Sequence, residues 1–191
     1  MTAVQGRGQA RRAAILDAAV SLLFSDGMAS VTHRQVAEAA QTPLGSIRYY
    51  FSSREDLLLA AVDQLEEARA QAARGAIREA EAELPSRRAA ELFVLAFYGP
   101  RLSDTCLKGY VGLVMDCARE SDRLSLRMRE HREVMDAQLR DLLDACGHPQ
   151  VSVSLATAVV DGSLLNATAL RLDGLAGIAV NELEPLLTCS C

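Results

Sequence analysis

Apolar residues recur at three- and four-residue spacing along nearly the whole chain, whereas stretches in which apolar and polar residues alternate are scarce. A repeat near 3.6 residues is typical of helices that bury one face, and strands give a repeat of two. The pattern therefore predicts an all-α protein of about nine helices, without internal repeats.

The chain is predicted to open with a long helix over residues 9–25, for which Gly27 provides a left-handed stop. A short second helix follows, and it ends near Gln41. Thr32 opens this helix, because Thr32 and Gln35 fit a capping box in which side chains satisfy the first backbone N–H groups.

A third short helix is expected after Pro43, since proline lacks the N–H that would be unpaired in a first turn. Leu44 and Ile47 are predicted to pack this helix, and Phe51 to close its core. Two short helices after a longer one form the helix-turn-helix arrangement, whose second short helix enters the major groove of DNA. The same pattern also fits a helical hairpin whose polar face meets only solvent.

Ser53 is predicted to cap a long fourth helix, with a buried stripe at Leu57, Leu58, Ala61, Leu65, Ala68 and Ala72. Five further helices are expected over residues 85–99, 104–119, 122–146, 151–172 and 175–187.

Charge is distributed unevenly along the chain. Residues 1–54 hold six arginines against three acidic residues, a net charge of +3, so the remainder carries −8 of the total of −5. Such asymmetry favours a small nucleic-acid-facing module joined to an acidic body.

No run approaches the ~18 apolar residues of a membrane span, and the N-terminus lacks an apolar signal core, so we expect a cytoplasmic protein without a membrane partner. Five cysteines, an odd number, argue against a disulfide framework. Cys106, Cys117 and Cys146 fit as small core residues. Cys189 and Cys191 have no His or acidic partner nearby, which argues against a metal site and leaves a redox role open.

Residues 11–63 resemble the DNA-binding region of TetR-family regulators. The resemblance rests on the alanine-rich first helix that ends at Gly27, on Thr32, Arg34, Val36 and Ala37, and then on Gly45, Ile47, Tyr49-Tyr50-Phe51 and Arg54-Glu55-Asp56-Leu57. The Val160-Asp161-Gly162 segment is similar to the family's C-terminal domain. The resemblance implies a DNA-binding domain at 1–54 and a helical ligand-binding and dimerisation domain at 55–191. It also implies a repressor that leaves an inverted-repeat operator when a small-molecule effector binds.

Carried over to this sequence, the resemblance implies DNA contacts from Thr32, His33, Arg34, Thr42, Pro43, Leu44, Gly45, Ser46, Arg48, Tyr49, Tyr50 and Arg54. Thr32, Arg34 and Arg54 would hold phosphates, and His33 would either join them or be merely solvated. Residues 42–46 would place the start of the third helix, the recognition helix, against the major groove. Arg7, Arg11 and Arg12 form either a basic arm or, as we expect, a solvated tail.

Two residues depart from the family's pattern. Gln41 stands where the family usually has glycine in the turn, and a left-handed glutamine costs roughly 1 kcal/mol. Arg48 stands where an aromatic residue is common. An arginine there can either read guanine with two hydrogen bonds or neutralise a phosphate, and we favour the base contact.

The acidic body is predicted to dimerise through the last two helices, whose apolar residues would equally suit a monomer core. These residues are Leu155, Val159, Leu164, Leu165, Leu183, Leu186 and Leu187. An effector pocket is expected from the middle helices, lined by Phe93, Phe97, Tyr110, Met115, Met128, His131, Met135 and Asn166.

Two other functions compete with a regulator. A small all-helical enzyme is disfavoured because the three His residues lack metal-ligand spacing and no nucleophile or phosphate-loop motif is present. A helical ligand-binding protein without DNA function leaves the arginine-rich segment unexplained. We therefore expect no cofactor, no metal and no catalytic residue.

Overall fold

The computed structural model describes residues 2–188, with side chains from Gly8 onward, and within that range the chain forms nine α-helices and no strand. The helices are α1 (Thr2–Asp26), α2 (His33–Ala39), α3 (Leu44–Tyr50), α4 (Arg54–Glu79), α5 (Ser86–Tyr98), α6 (Asp104–Glu120), α7 (Asp122–Ala145), α8 (Val153–Ala169) and α9 (Leu175–Thr188). A single 3-10 turn, Met28–Ser30, follows α1. The all-α class predicted from periodicity is confirmed.

Two helix ends differ from the prediction by three residues or more. Helix α1 begins at Thr2 and not at residue 9. Helix α8 ends at Ala169, three residues early, because Arg171 adopts a φ of 55°. The Leu172 N–H then bonds the carbonyl of Ala167 at 2.9 Å, which satisfies an acceptor that the helix end leaves open.

The described chain groups into two compact units. The first comprises the residues up to Leu65 together with Gly112–Arg127, and the second comprises Glu66–Val111 with the residues from Met128 onward. Helices α4, α6 and α7 each continue from one unit into the other. The first unit thus extends past residue 54, and the functional division at 54/55 stays a prediction.

In the first unit, α1 to α3 and the start of α4 share an apolar core. Its buried residues include Ile15, Ala19, Leu23, Met28, Val31, Val36, Ile47, Phe51, Leu57 and Leu58. Cys117 is also buried in this unit, and burial raises the pKa of its thiol to about 12, so it stays an unreactive packing residue at neutral pH.

In the second unit, the buried stripe of α4 runs through Arg69, Ala73 and Ala76 and not through the predicted Ala68 and Ala72, which are half-buried. The stripe can include Arg69 because its guanidinium is fully engaged. It donates to Glu66 at 2.6 and 2.8 Å, to the Ala96 carbonyl at 2.9 Å and to Gln138 at 2.6 Å. A buried charge is tolerated only when it is paired in this way.

Gly99, which follows α5, allows the chain to pass close to Arg69. Its φ is 78°, and a Cβ placed there would lie 3.0 Å from the Cα of Arg69. Only glycine combines this left-handed conformation with so close an approach. The predicted end of α5 at Gly99 is confirmed.

The last two helices divide the residues predicted for a dimer interface. Leu164, Leu183 and Leu187 are buried within the chain's own core and are not available to a partner, which corrects that part of the prediction. Leu155 and Leu165, on α8, are exposed. Among the described residues, no helix is both long and apolar enough to span a membrane.

Asp104, the first residue of α6, caps the start of α9. Its carboxylate accepts the N–H groups of Gly174 at 2.9 Å and Leu175 at 3.0 Å. These two backbone hydrogen bonds, the Leu175 bond foremost, lower the pKa of Asp104. The carboxylate therefore supplies two acceptors for helix N–H groups that have no partner within the helix.

We predict that Asp104→Asn lowers the free energy of unfolding at pH 7, because an amide oxygen accepts less well than a carboxylate. Since folding lowers the pKa of Asp104, its contribution is present above its unfolded pKa of about 3.9 and is lost as the pH falls through the folded value. The difference between wild type and variant should therefore shrink below about pH 4. Urea unfolding followed by circular dichroism at pH 7 and pH 3 measures this, with the exposed Asp141→Asn as control. A difference that stays constant with pH would contradict the prediction.

Candidate nucleic-acid interface

The site begins at the link between α1 and α2. Thr32 caps α2: its hydroxyl oxygen accepts the Gln35 N–H at 3.2 Å and donates to the Gln35 side chain at 2.8 Å. The expected pairing of these two residues is confirmed, although the glutamine binds the hydroxyl and not the backbone N–H of Thr32. The cap fixes the residue at which α2 starts.

The turn between α2 and α3 contains the left-handed residue predicted to be strained. Gln41 has a φ of 49°. The turn is closed by the Thr42 N–H, which donates to the Ala37 carbonyl at 2.9 Å, while the Thr42 hydroxyl donates to Ala40 at 3.1 Å. The chain therefore keeps the turn geometry that glycine favours and accepts the cost of a side chain there.

Helix α3 has one strongly buried residue, Ile47, and is followed directly by Phe51, which is also buried. The Phe51 N–H donates to the Ile47 carbonyl at 2.8 Å, and the Ser46 N–H donates to Pro43 at 2.8 Å. Pro43 thus stands just before the first turn and not within it. These contacts anchor one side of α3 and leave the other side open.

The open side carries most of the residues predicted to contact DNA. Exposed residues are Pro43, Leu44, Gly45, Arg48 and Tyr49; Thr42, Ser46 and Tyr50 are half-buried. Leu44, predicted to pack α3, is instead exposed, because Ile47 alone occupies the core side.

Two tyrosines lie side by side at the end of α3. The rings of Tyr49 and Tyr50 meet edge to face with centroids 5.1 Å apart, and Tyr49 is 83% exposed. The hydroxyl of Tyr50 lies beside the backbone of Gly8. The pair therefore offers two hydroxyls and one freely accessible ring next to Arg48.

The residues predicted at the start of α2 differ in accessibility. Arg34 is exposed, whereas Thr32 and His33 are half-buried. The Nε2 atom of His33 is buried and has no hydrogen-bond partner within the described chain.

Arg54 is placed differently from the other predicted contacts. Its Nε donates to the Val31 carbonyl at 2.9 Å, one terminal nitrogen donates to the Met28 carbonyl at 2.8 Å, and the other is paired with Glu120. Each nitrogen has an acceptor in the same chain. We therefore leave Arg54 out of the interface, and its phosphate contact stays a prediction.

Arg11 and Arg12 lie within α1, so the expectation of a solvated tail is wrong for both. The guanidinium of Arg12 lies 5.3 Å from the ring centroid of Phe51, a cation–π contact with the residue that ends α3. Periodicity did not reveal this contact because the two residues are far apart in sequence. Arg7, Cys189 and Cys191 fall outside the residues whose side chains are described.

The second unit brings three of the predicted pocket residues into one aromatic cluster. Phe93 and Phe97 lie 6.4 Å apart, and Tyr98 joins them to Tyr110 with centroid distances of 4.6 and 5.5 Å. Sequence reasoning missed Tyr98, although its place directly after Phe97 was visible. The Tyr98 hydroxyl donates to Asp161 at 2.6 Å.

Burial is the main reason that the pKa values of Tyr98 and Tyr110 lie well above those of ordinary tyrosines. Both hydroxyls therefore stay protonated and can act as donors. Met135 packs against the core of this unit, Met128 and His131 are half-buried, and Met115 and Asn166 are exposed. Their membership of a pocket stays a prediction.

Comparisons with known proteins agree with this geometry. Residues 15–61, which contain α2 and α3, match the model of the bacterial regulatory proteins of the tetR family. An HTH-type transcriptional regulator described in the dhlA 5′ region of Xanthobacter autotrophicus is 30% identical over 163 residues, which cover 82% of this chain and 79% of that protein. This chain belongs to the TetR family.

Solved structures agree over nearly the full length. A TetR-family member from Streptomyces coelicolor A3 is 26% identical, with a TM-score of 0.67 over 92% of this chain and 97% of that one. The multidrug binding protein EbrR, in a complex with proflavin, is 30% identical, with a TM-score of 0.58 over 92% and 99%. The chain is thus a DNA-binding transcriptional regulator of the TetR family, and that family consists of regulators and not of enzymes.

Proposed function

We propose that this TetR-family protein is a cytoplasmic repressor that binds an inverted-repeat operator as a homodimer and leaves it when a cationic aromatic molecule binds the second unit. The proposal that the protein binds an operator rests on the open side of α3, where Arg48 and Tyr49 are exposed. No acidic residue occurs between Ala39 and Ser53, so nothing on this segment repels phosphate.

The proposal is tested by selecting duplexes with the full-length protein from a random-sequence pool and footprinting the selected duplex. Two protected half-sites of opposite orientation, spaced by one helical turn or a multiple, are expected of a two-fold symmetric dimer of this motif. Failure to enrich any duplex would refute the DNA-binding function, and a footprint without symmetry would refute the dimeric mode.

Arg48 is proposed to read a base. It is exposed on α3, and Tyr49 and Tyr50 beside it already offer hydroxyls for backbone contacts. A guanidinium can bond both O6 and N7 of guanine, and such a pair discriminates by about 1–3 kcal/mol against the wrong base.

We predict that Arg48→Ala weakens binding to the selected duplex, while a duplex changed at one guanine loses little further affinity with the variant. Titrations of both proteins with both duplexes at several salt concentrations measure this. Equal weakening on all duplexes would show a phosphate contact instead. In that case the slope of log affinity against log salt concentration, the salt slope, would fall in magnitude by about one unit.

A homodimer through α8 and α9 is proposed, and on α8 and directly after it the chain leaves apolar residues uncovered. Leu155 and Leu165 are 50% and 57% exposed, and Leu170, just after α8, is 71% exposed. Each exposed apolar side chain that a partner covers contributes up to about 1.5–3 kcal/mol. In a two-fold symmetric dimer, these three leucines would be buried in both protomers.

We predict that Leu165→Lys converts the dimer into a monomer at micromolar concentration without unfolding it, because the replaced side chain is exposed in the protomer. Light scattering measures the mass, and circular dichroism measures the helix content. The matched control is Leu126→Lys on α7, where the leucine is 51% exposed but lies outside the last two helices. A wild type that is monomeric, or equal behaviour of the two variants, would contradict the α8–α9 interface.

The effector class is inferred from the aromatic cluster. Four rings and the carboxylate of Asp161 lie together in the second unit. The residue is exposed as a whole, but burial of its carboxylate beside the rings raises the pKa of Asp161. Aromatic faces and a carboxylate together favour a cation with a flat apolar body. The related protein EbrR is described in complexes with proflavin, ethidium and malachite green.

We predict that ethidium binds the wild-type protein in the absence of DNA, and that Asp161→Asn weakens this binding about three- to fivefold, as expected for the loss of one partly solvated charge pair. Fluorescence anisotropy measures both affinities, with anionic fluorescein as the control ligand. Release of the selected duplex should need correspondingly more ethidium with the variant. Equal ethidium affinities would contradict the role of Asp161.

A further inference from the structure

Arg54 joins two parts of the first unit that are distant in sequence. On one side its Nε and one terminal nitrogen hold the carbonyls of Val31 and Met28, in the link between α1 and α2. On the other side it is paired with Glu120, the last residue of α6. One guanidinium thus fixes the entry to the helix-turn-helix relative to the end of α6.

Two further ion pairs join the same elements. Arg123 is paired with Glu55 and Asp56 in the first turn of α4, and Arg127 donates to Asp63, two turns further on, at 2.7 and 2.8 Å. Bonds from Ser121 and Arg123 lower the pKa of Glu55, so this carboxylate stays charged near neutral pH. The segment from Glu120 to Arg127, which we name the α6–α7 corner, is therefore held against the start of α4 by ion pairs.

We infer that Arg54 is a positioning residue for DNA binding and not a phosphate contact: it transmits the position of the α6–α7 corner to the carbonyls that precede α2. The inference rests on the proposed DNA-binding function and adds a residue through which the corner controls α2 and α3. Thr32, the cap of α2, directly follows Val31, so a displacement of that carbonyl displaces the start of α2.

The charge of Glu120 makes the two roles of Arg54 separable. Removing a carboxylate close to a phosphate-binding arginine strengthens DNA binding or leaves it unchanged, since a competitor and a repulsive charge are lost. Replacing the carboxylate that orients a positioning arginine by an amide, a weaker and uncharged acceptor, weakens DNA binding. Glu120→Gln therefore separates the two roles: a positioning role predicts weaker DNA binding, and a phosphate contact predicts no weakening.

The experiment measures the affinity of the full-length variants for the selected duplex over a range of salt concentrations. We expect Glu120→Gln to weaken binding about two- to fivefold, the range for an ion pair that is partly exposed, with an unchanged salt slope. The exposed Glu133→Gln on α7 removes the same charge outside the corner and should bind as the wild type does or slightly more tightly.

Arg54→Lys gives an independent readout. Lysine keeps the positive charge, so a phosphate contact predicts near wild-type affinity and slope. A single ammonium cannot reproduce the planar fork that holds two carbonyls and a carboxylate, so a positioning role predicts weakened binding. The double variant should bind the selected duplex as weakly as Arg54→Lys alone does, because both changes interrupt the same connection between the α6–α7 corner and α2.

Circular dichroism at the binding temperature verifies that each variant is folded. If Arg54→Lys is unfolded, the affinity of Glu120→Gln, a change at an exposed residue, tests the inference by itself. Tighter or unchanged binding by Glu120→Gln, or Arg54→Lys that binds like the wild type, would overturn the inference while leaving the DNA-binding function intact. A wild type that selects no duplex would instead refute the function itself.

Discussion

Helix α3 is held in place mainly by two buried side chains, Ile47 and Phe51, and everything that the protein does to DNA depends on this anchorage. A helix of seven residues is far too short to be stable alone, so packing must supply its stability. Burial of Ile47 contributes about 1.5–3 kcal/mol, and Arg12 covers the ring of Phe51. The opposite side of α3 then stays free of apolar packing requirements and can carry polar side chains.

Arginine side chains supply hydrogen bonds that join the helices of this protein. Lys108 is the only lysine in the sequence, and every other basic residue is an arginine. The guanidinium donates several hydrogen bonds in a rigid fork, whereas an ammonium is a compact point charge. Arg54 and Arg69 use this property to join three or more acceptors each, and both thereby connect helices that are distant in sequence.

Features that depend on local sequence could be predicted, and features that depend on long-range contacts could not. The number of helices within residues 2–188 and the Thr32 cap follow from spacing and neighbouring side chains, and both are confirmed. The apolar character of Leu44 predicts a core position, but that character alone cannot tell which residue of a two-turn helix faces inward. Arg69 was missed because a fully paired buried charge looks, in sequence, like a solvated one. Tyr98 joins the aromatic cluster only through contacts between different helices.

The distribution of charge also constrains the proposed release of DNA by an effector. Residues 55–191 carry a net charge of −8, which repels phosphate and attracts cations. A cationic effector bound near Asp161 would reduce that negative charge, and by electrostatics alone this would strengthen DNA binding. Release by such an effector must therefore come from a change of conformation that outweighs the electrostatic gain, with a coupling of typically about 1–3 kcal/mol. Helices α4, α6 and α7 run from one unit into the other, so the proposed change would be carried along continuous chain.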